Sequence, residues 1–245
     1  MRKALQINRP GLIGHYHGGM LDIATDLTQV SITFGCHIEH IEVDALSALR
    51  TAVNSSEIED RIAHLKDQLD IQPDCTEEEL ARAARTPVAL DRLAELRDLH
   101  SLAYDYMGRG VPENEETMSS IILGTSLLTA RGISVAGEYE VKKVLAMKIL
   151  DALVAGGSFT EFYALDLNLN HVLMGHDGPG HIRCRNQDQG KTSGCLPRQD
   201  RTGIVGGDGC KARPRHASVC RGGCRVRIQA PRCPGRNAFR APCFI

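Results

Sequence analysis

Along the first 181 residues, short apolar runs alternate with longer stretches whose apolar positions recur every three or four residues, the pattern of buried strands set between amphipathic helices. Residues 11–16 (GLIGHY) lie between Pro10 and Gly18-Gly19 and predict a first strand, which feeds a helix over 20–34 that Gly35 stops. Residues 37–43 alternate apolar Ile38, Ile41 and Val43 with polar neighbours as a second strand does, and Asp44 stands where it would cap a helix running to Arg50. A charged amphipathic helix follows over 55–69. Thr76-Glu-Glu-Glu79 has the capping-box pattern that opens another helix toward Leu99, which Pro87 is expected to break in two. Then come a strand at 101–106, a Gly-rich loop at 107–112, a helix over 115–130, a strand at 133–136, a helix over 139–155 and strand-like pieces at 159–167 and 171–174. The order β-α-β-α-α-β-α-β-α predicts an α/β fold, a Rossmann-like or flavodoxin-like parallel sheet with helices on both faces. No internal repeat is visible.

The pattern stops near residue 181, and the charge balance changes with it. The 245 residues carry a net charge of −1, but residues 1–181 hold 15 Lys+Arg against 27 Asp+Glu and residues 182–245 hold 14 against 3. Seven of the nine cysteines lie in that basic tail. Zinc binding through Cys210, Cys220, Cys224 and Cys233, or nucleic-acid binding through charge, would suit such a composition. The cysteine spacings contain no C-x2-C pair, Phe239 and Phe244 are the tail's only aromatics, and no basic helix is evident, so neither is expected. With few large apolar residues to offset ordering entropy, the tail is expected to be disordered. No 18-residue apolar run and no signal-peptide pattern occur, so no membrane association is expected. The cytoplasm is the expected compartment, and there a disulfide framework would not form.

Two regions carry candidate chemistry. The loop Gly14-His-Tyr-His-Gly-Gly19 follows the first strand but lacks both the G-x-G-x-x-G and the G-K-[ST] spacing of phosphate-binding turns. His15 and His17 stand at the carboxyl end of that strand, where open α/β sheets bind ligands; they are either substrate-binding residues or polar turn residues. Between Val135 and His181 the chain gathers Glu138, Glu140, Glu161, Asp166, His171, His176, Asp177 and His181 among glycines and small residues. Carboxylates with an imidazole suit a Mn²⁺ or similar divalent site. Spacing alone does not separate that from solvated loops.

The strings ILGTSLLTARGISVAGEYEVKKVLAMKIL, GGSFTEFYALD and LMGHDGPGH together resemble the L-arabinose/L-fucose isomerase family, over essentially all of residues 1–181. The resemblance implies an aldose–ketose isomerase that acts by enediol proton transfer between C1 and C2 of a sugar. It also implies a Mn²⁺ or other divalent cofactor and a homo-oligomer in the full-length form. Carried over, Glu138 of AGE and Glu161 of GGSFTE match the paired acids, as metal ligands and as the catalytic acid/base pair, and His176 of LMGH matches the first histidine ligand. His15, His17 and Asp177 are the candidate substrate-binding residues. A second histidine ligand belongs to the family's third domain.

On this resemblance, residues 1–132 correspond to the family's middle α/β domain and 133–181 to the start of its ligand-bearing C-terminal domain, a truncated second domain. The first domain has no counterpart. Dropping one nucleotide at the Arg183 codon lets residues 183–200 be re-read as AAEIKIKVRPLGVYHGK, which resembles the family's continuation. The tail is therefore expected to be a frameshift product and the chain an inactive fragment of an isomerase. The alternatives are a non-catalytic Rossmann-like sugar-binding module and a nucleic-acid-associated protein that uses the basic tail.

Overall fold

The computed structural model describes residues 2–71, 75–153, 156–166, 171–176, 178–182, 192–194 and 226–229. Helix α1 (Arg2–Gln6) leads into β1 (Pro10–Ile13), α2 (Leu27–Phe34), β2 (Glu39–Ile41), α3 (Val43–Thr51), α4 (Ser55–Gln68), β3 (Leu69–Ile71) and α5 (Glu77–Leu96). There follow β4 (Ser101–Tyr104), α6 (Pro112–Ser119), α7 (Ile121–Ala130), β5 (Ser134–Ala136), α8 (Val141–Ala152), β6 (Glu161–Asp166), β7 (His171–Gly175), β8 (Thr192–Gly194) and β9 (Val226–Gln229).

Four strands form one parallel sheet in the order β2-β1-β4-β5. Because successive side chains of a strand point to opposite faces, the sheet builds two cores. Ile13, Leu102, Tyr104 and Val135 face a cluster made with α3, α4, α5, α6 and α7. Leu12, Ala103 and Ala136 face a second cluster, with Leu5 of α1, Val30 of α2 and Val141, Val144, Leu145 and Met147 of α8. This three-layer arrangement, with its flavodoxin-type strand order, is the α/β fold the alternating pattern predicts. The chain turns from β1 to β2 on one side and returns to β4 on the other, so the order reverses between β1 and β4. The expected division at 132/133 falls just before β5, which is itself the fourth strand of this sheet. In smaller sheets, β6, β7 and β9 are antiparallel and β3 pairs with β8. Of the tail expected to be disordered, residues 192–194 and 226–229 are strands, and the rest beyond Ile182 lies outside the described residues.

The structure corrects four expectations. The helix expected over 20–34 is a 3₁₀ turn at Leu21–Ile23 followed by α2. The Tyr16 hydroxyl donates to the carbonyl of Thr25 (2.8 Å) and accepts from its N–H (3.1 Å), while Asp26 caps α2 by accepting from Gln29 N–H. Asp44 does not cap α3: Glu42 is the N-cap and lacks a side-chain bond, and Asp44, in the first turn, accepts from Asn114 Nδ2 at 2.6 Å. Pro87 does not break α5, which runs unbroken from Glu77 to Leu96. There Pro87 packs against Gly124 of α7, whose missing side chain leaves room for the two helices. The helix expected over 115–130 is two helices that meet at Ser120, whose hydroxyl bonds Glu116 and Thr117 carbonyls and Thr86. The capping box at Thr76 is present as expected, and a second one at Asn54 opens α4.

Candidate functional site

At the carboxyl edge of the sheet, β1, β4 and β5 each end in a turn that carries polar side chains. Beyond β1 the chain turns at Gly14 (φ +84°), whose N–H bonds Ile41. A side chain there would sit in the left-handed region and within 3.3 Å of Asp105 Cβ. The turn sends His15 and His17 in different directions. His15 is mostly exposed, 3.9 Å from Glu42, whereas His17 turns inward with Nδ1 3.9 Å from Asp105 Oδ1. Asp105 follows β4 and its N–H bonds Ile13. Its carboxylate is fully buried and accepts from Arg109 at 2.9 Å. Burial raises the Asp105 pKa, outweighing the Arg109 hydrogen bond and charge and the charge of His17.

Beyond β5, Glu138 and Tyr139 both adopt left-handed backbone (φ +54° and +63°). For non-glycine residues this costs on the order of 1–2 kcal/mol each. The turn is held by Tyr139 N–H bonding Tyr104 (2.9 Å), by the Tyr139 ring on Tyr16 (centroids 4.8 Å apart) and by the Tyr139 hydroxyl 3.3 Å from His40 Nδ1. Its effect is to turn Glu138 toward His176, which follows β7. His176 Nε2–H donates to Glu138 Oε1 at 3.1 Å, with both side chains nearly buried. Phe159 backs the imidazole edge-on at 4.3 Å, and Lys143 lies 4.7 Å over that ring. Burial alone would raise the Glu138 pKa. The hydrogen bond and charge of His176, with the charges of Lys143 and His17, outweigh burial and hold the carboxyl below its usual range.

The antiparallel β6–β7 pair sets Glu161 opposite Gly175, one residue before His176. The backbone thus brings the three residues that resemble the family's ligands to one place; the side chain of Glu161 and all of Asp177 lie outside the described residues. Gly180 N–H and His181 N–H bond Ser126 Oγ and Ser158 Oγ (3.1 Å each), which docks the loop after His176 on α7 and on the turn before β6. Glu140, another carboxylate of this stretch, caps α8 by accepting from Lys142 N–H. Asp105, Tyr106 and Arg109 belong to no motif. Their one sequence signal is a carboxylate directly after a run (SLAY) that reads as a buried strand.

Among the described side chains no group of three His, Cys, Asp or Glu could hold a metal ion. The donors that are described do fit a divalent cation. Among the described residues, Glu138 Oε2 is buried without a hydrogen-bond partner, which costs free energy until a cation or donor meets it, and carboxylate with imidazole suits manganese. Among the described residues no helix is long and apolar enough to cross a membrane. No protein-family model matches the chain, and no curated protein matches it.

Proposed function

We propose that the carboxyl edge of this sheet is the metal site of a sugar aldose–ketose isomerase, with Glu138, Glu161 and His176 as the residues that would hold Mn²⁺ or a similar divalent cation. The observation that carries this reading is the buried Glu138–His176 pair with its unpartnered Oε2, supported by the resemblance of AGE, GGSFTE and LMGH to the isomerase motifs. A bound divalent cation would supply polarisation of the sugar's carbonyl and hydroxyl oxygens. The chain's own residues supply the rest. His176 holds Glu138 Oε1, which leaves Oε2 free to bind. Phe159 closes one side of the pair against water. A carboxylate, Glu138 or Glu161, carries the proton between C1 and C2. The same reading makes the protein cytoplasmic and a homo-oligomer.

Because the resemblance assigns a fourth ligand to a domain outside the matched residues, metal binding rather than turnover is the direct readout. Mn²⁺ titration of the purified chain, followed by electron paramagnetic resonance, is expected to show a site that weakens at least about tenfold in Glu138→Gln and in His176→Ala. Absence of Mn²⁺ binding at millimolar concentration, or binding indifferent to both substitutions, refutes the proposal. Calorimetry with L-arabinose and L-fucose separates it from a sugar-binding module without chemistry, which would take up sugar equally well without metal.

A further inference from the structure

The turns after β1 and β4 hold polar groups that the metal site does not use. Asp105 is fully buried, and its Oδ2 is taken by Arg109, but among the described residues its Oδ1 has no hydrogen-bond partner. That oxygen faces His17, whose Nδ1 lies 3.9 Å away, too far for a direct hydrogen bond. On the other side of the imidazole, Tyr106 Oη is 3.5 Å from Nε2 and the two rings are 5.3 Å apart. The carboxylate opposite Nδ1 favours a proton there, so Nδ1 faces Asp105 as a donor in both the neutral Nδ1–H and the charged imidazole. The arrangement therefore presents one acceptor and one donor, 3.9 Å apart, at the point where the strand order reverses and open α/β sheets bind ligands.

The chemistry of that pair selects its occupant. A hydroxyl donates and accepts at once, and seated about 2.8 Å from each atom it satisfies both. A phosphate brings no proton to Asp105 and is repelled by it, and an apolar group leaves a buried carboxylate oxygen unpaired. The Glu138 turn is the neighbour of this pair: Tyr139 N–H bonds the carbonyl of Tyr104, one residue before Asp105. We propose that Asp105 and His17 form a hydroxyl-binding subsite beside the Glu138–His176 pair, with Arg109 and Tyr106 fixing the two side chains, so that a polyhydroxylated ligand is held by one of its hydroxyls here while its other end lies at Glu138. Its place beside a metal rests on the function proposed above.

The test titrates the full chain and its Asp105→Asn and His17→Gln variants, first with Mn²⁺ alone and then, Mn²⁺-loaded, with L-arabinose by calorimetry. The expected result is Mn²⁺ affinity within about twofold of the parent and L-arabinose affinity weakened about tenfold or more, the loss of one charge-assisted hydrogen bond. Unchanged sugar affinity in both variants, or no sugar binding by the parent chain, overturns the subsite. If the parent chain binds no Mn²⁺, the isomerase reading falls, and the same sugar titration without metal decides the subsite by the same criterion. Thermal melts accompany each titration. If Asp105→Asn unfolds the protein, His17→Gln, on a side chain about a quarter exposed, decides alone.

Discussion

Gly178 and Gly180 of the GHDGPGH segment should respond differently to a single methyl group. A Cβ on Gly178 would lie inside contact distance of Cε1 and Nδ1 of His176, while a Cβ on Gly180 would meet nothing within 4 Å. The obstructed atoms belong to a rigid ring held between Phe159 and Glu138, so the ring or the loop must move. Overpacking of this kind costs about 1–3 kcal/mol. If the ring leaves Glu138, a hydrogen bond to a charged group goes with it, worth about 1.5–3 kcal/mol. The two costs are alternatives in part, which sets the expectation for Gly178→Ala at about 2–4 kcal/mol, with Mn²⁺ affinity reduced about tenfold or more. Gly180→Ala should stay within about 0.5 kcal/mol of the parent and bind Mn²⁺ as the parent does. Urea unfolding followed by circular dichroism reads the first quantity, and Mn²⁺ titration the second. A double-mutant cycle isolates the cause: on a His176→Ala background, Gly178→Ala should cost almost nothing, because the obstructing ring is gone. A Gly178→Ala protein as stable as the parent with unchanged Mn²⁺ affinity would refute the placement of His176.

Three further outcomes are expected. Gly124→Ala puts a Cβ 2.5 Å from Leu90 Cδ1 and 3.1 Å from Pro87 Cα, so it should destabilise the protein by about 1–3 kcal/mol in urea melts despite alanine's helix preference; a gain in stability contradicts the close α5–α7 contact. Ser47→Ala removes the hydroxyl that lies 2.7 Å from buried Asn114 Oδ1 and 2.9 Å from Thr117 Oγ1, at an expected cost of about 1–3 kcal/mol, and a neutral result would mean that Asn114 finds another donor. Burial raises the Glu39 pKa, but the hydrogen bond and charge of Arg9, with the Arg97 and His37 bonds, hold it below its usual range. A carboxyl held low in the fold stabilises above its unfolded pKa and loses that effect as pH falls through the folded one. Glu39→Gln should therefore cost less than about 1 kcal/mol at pH 7, since Arg9 and Arg97 are well exposed. The difference should diminish as pH falls below the ordinary glutamate range and shrink in 0.5 M NaCl; a difference that grows on acidification reverses the assignment.

The elements that local chemistry decides were readable from the residues. Gly35 ends α2 in the left-handed region, as only glycine does at little cost, and the capping box at Thr76 begins α5 where the pattern places it. The buried strands at 101–104 and 134–136 followed from apolar runs, and the fold class from their alternation with helices. Tertiary contacts decided the rest. Pro87 stays inside one helix, at the place where Gly124 of α7 lets the two helices approach, and the helix expected from residue 20 is interrupted where Tyr16 binds the Thr25 backbone from across the loop. The same division runs through the site. Glu138 and His176 were candidates by residue type, but only the paired left-handed turn at Glu138–Tyr139 and the hairpin register at Glu161 bring them together. Asp105 carries no motif. It becomes a candidate only when β4 lies beside β1, because that pairing buries its carboxylate opposite His17 and leaves one oxygen without a donor. Sequence period reports which face of an element is apolar, whereas convergence of polar groups at a strand edge depends on contacts many residues apart, which no local pattern encodes.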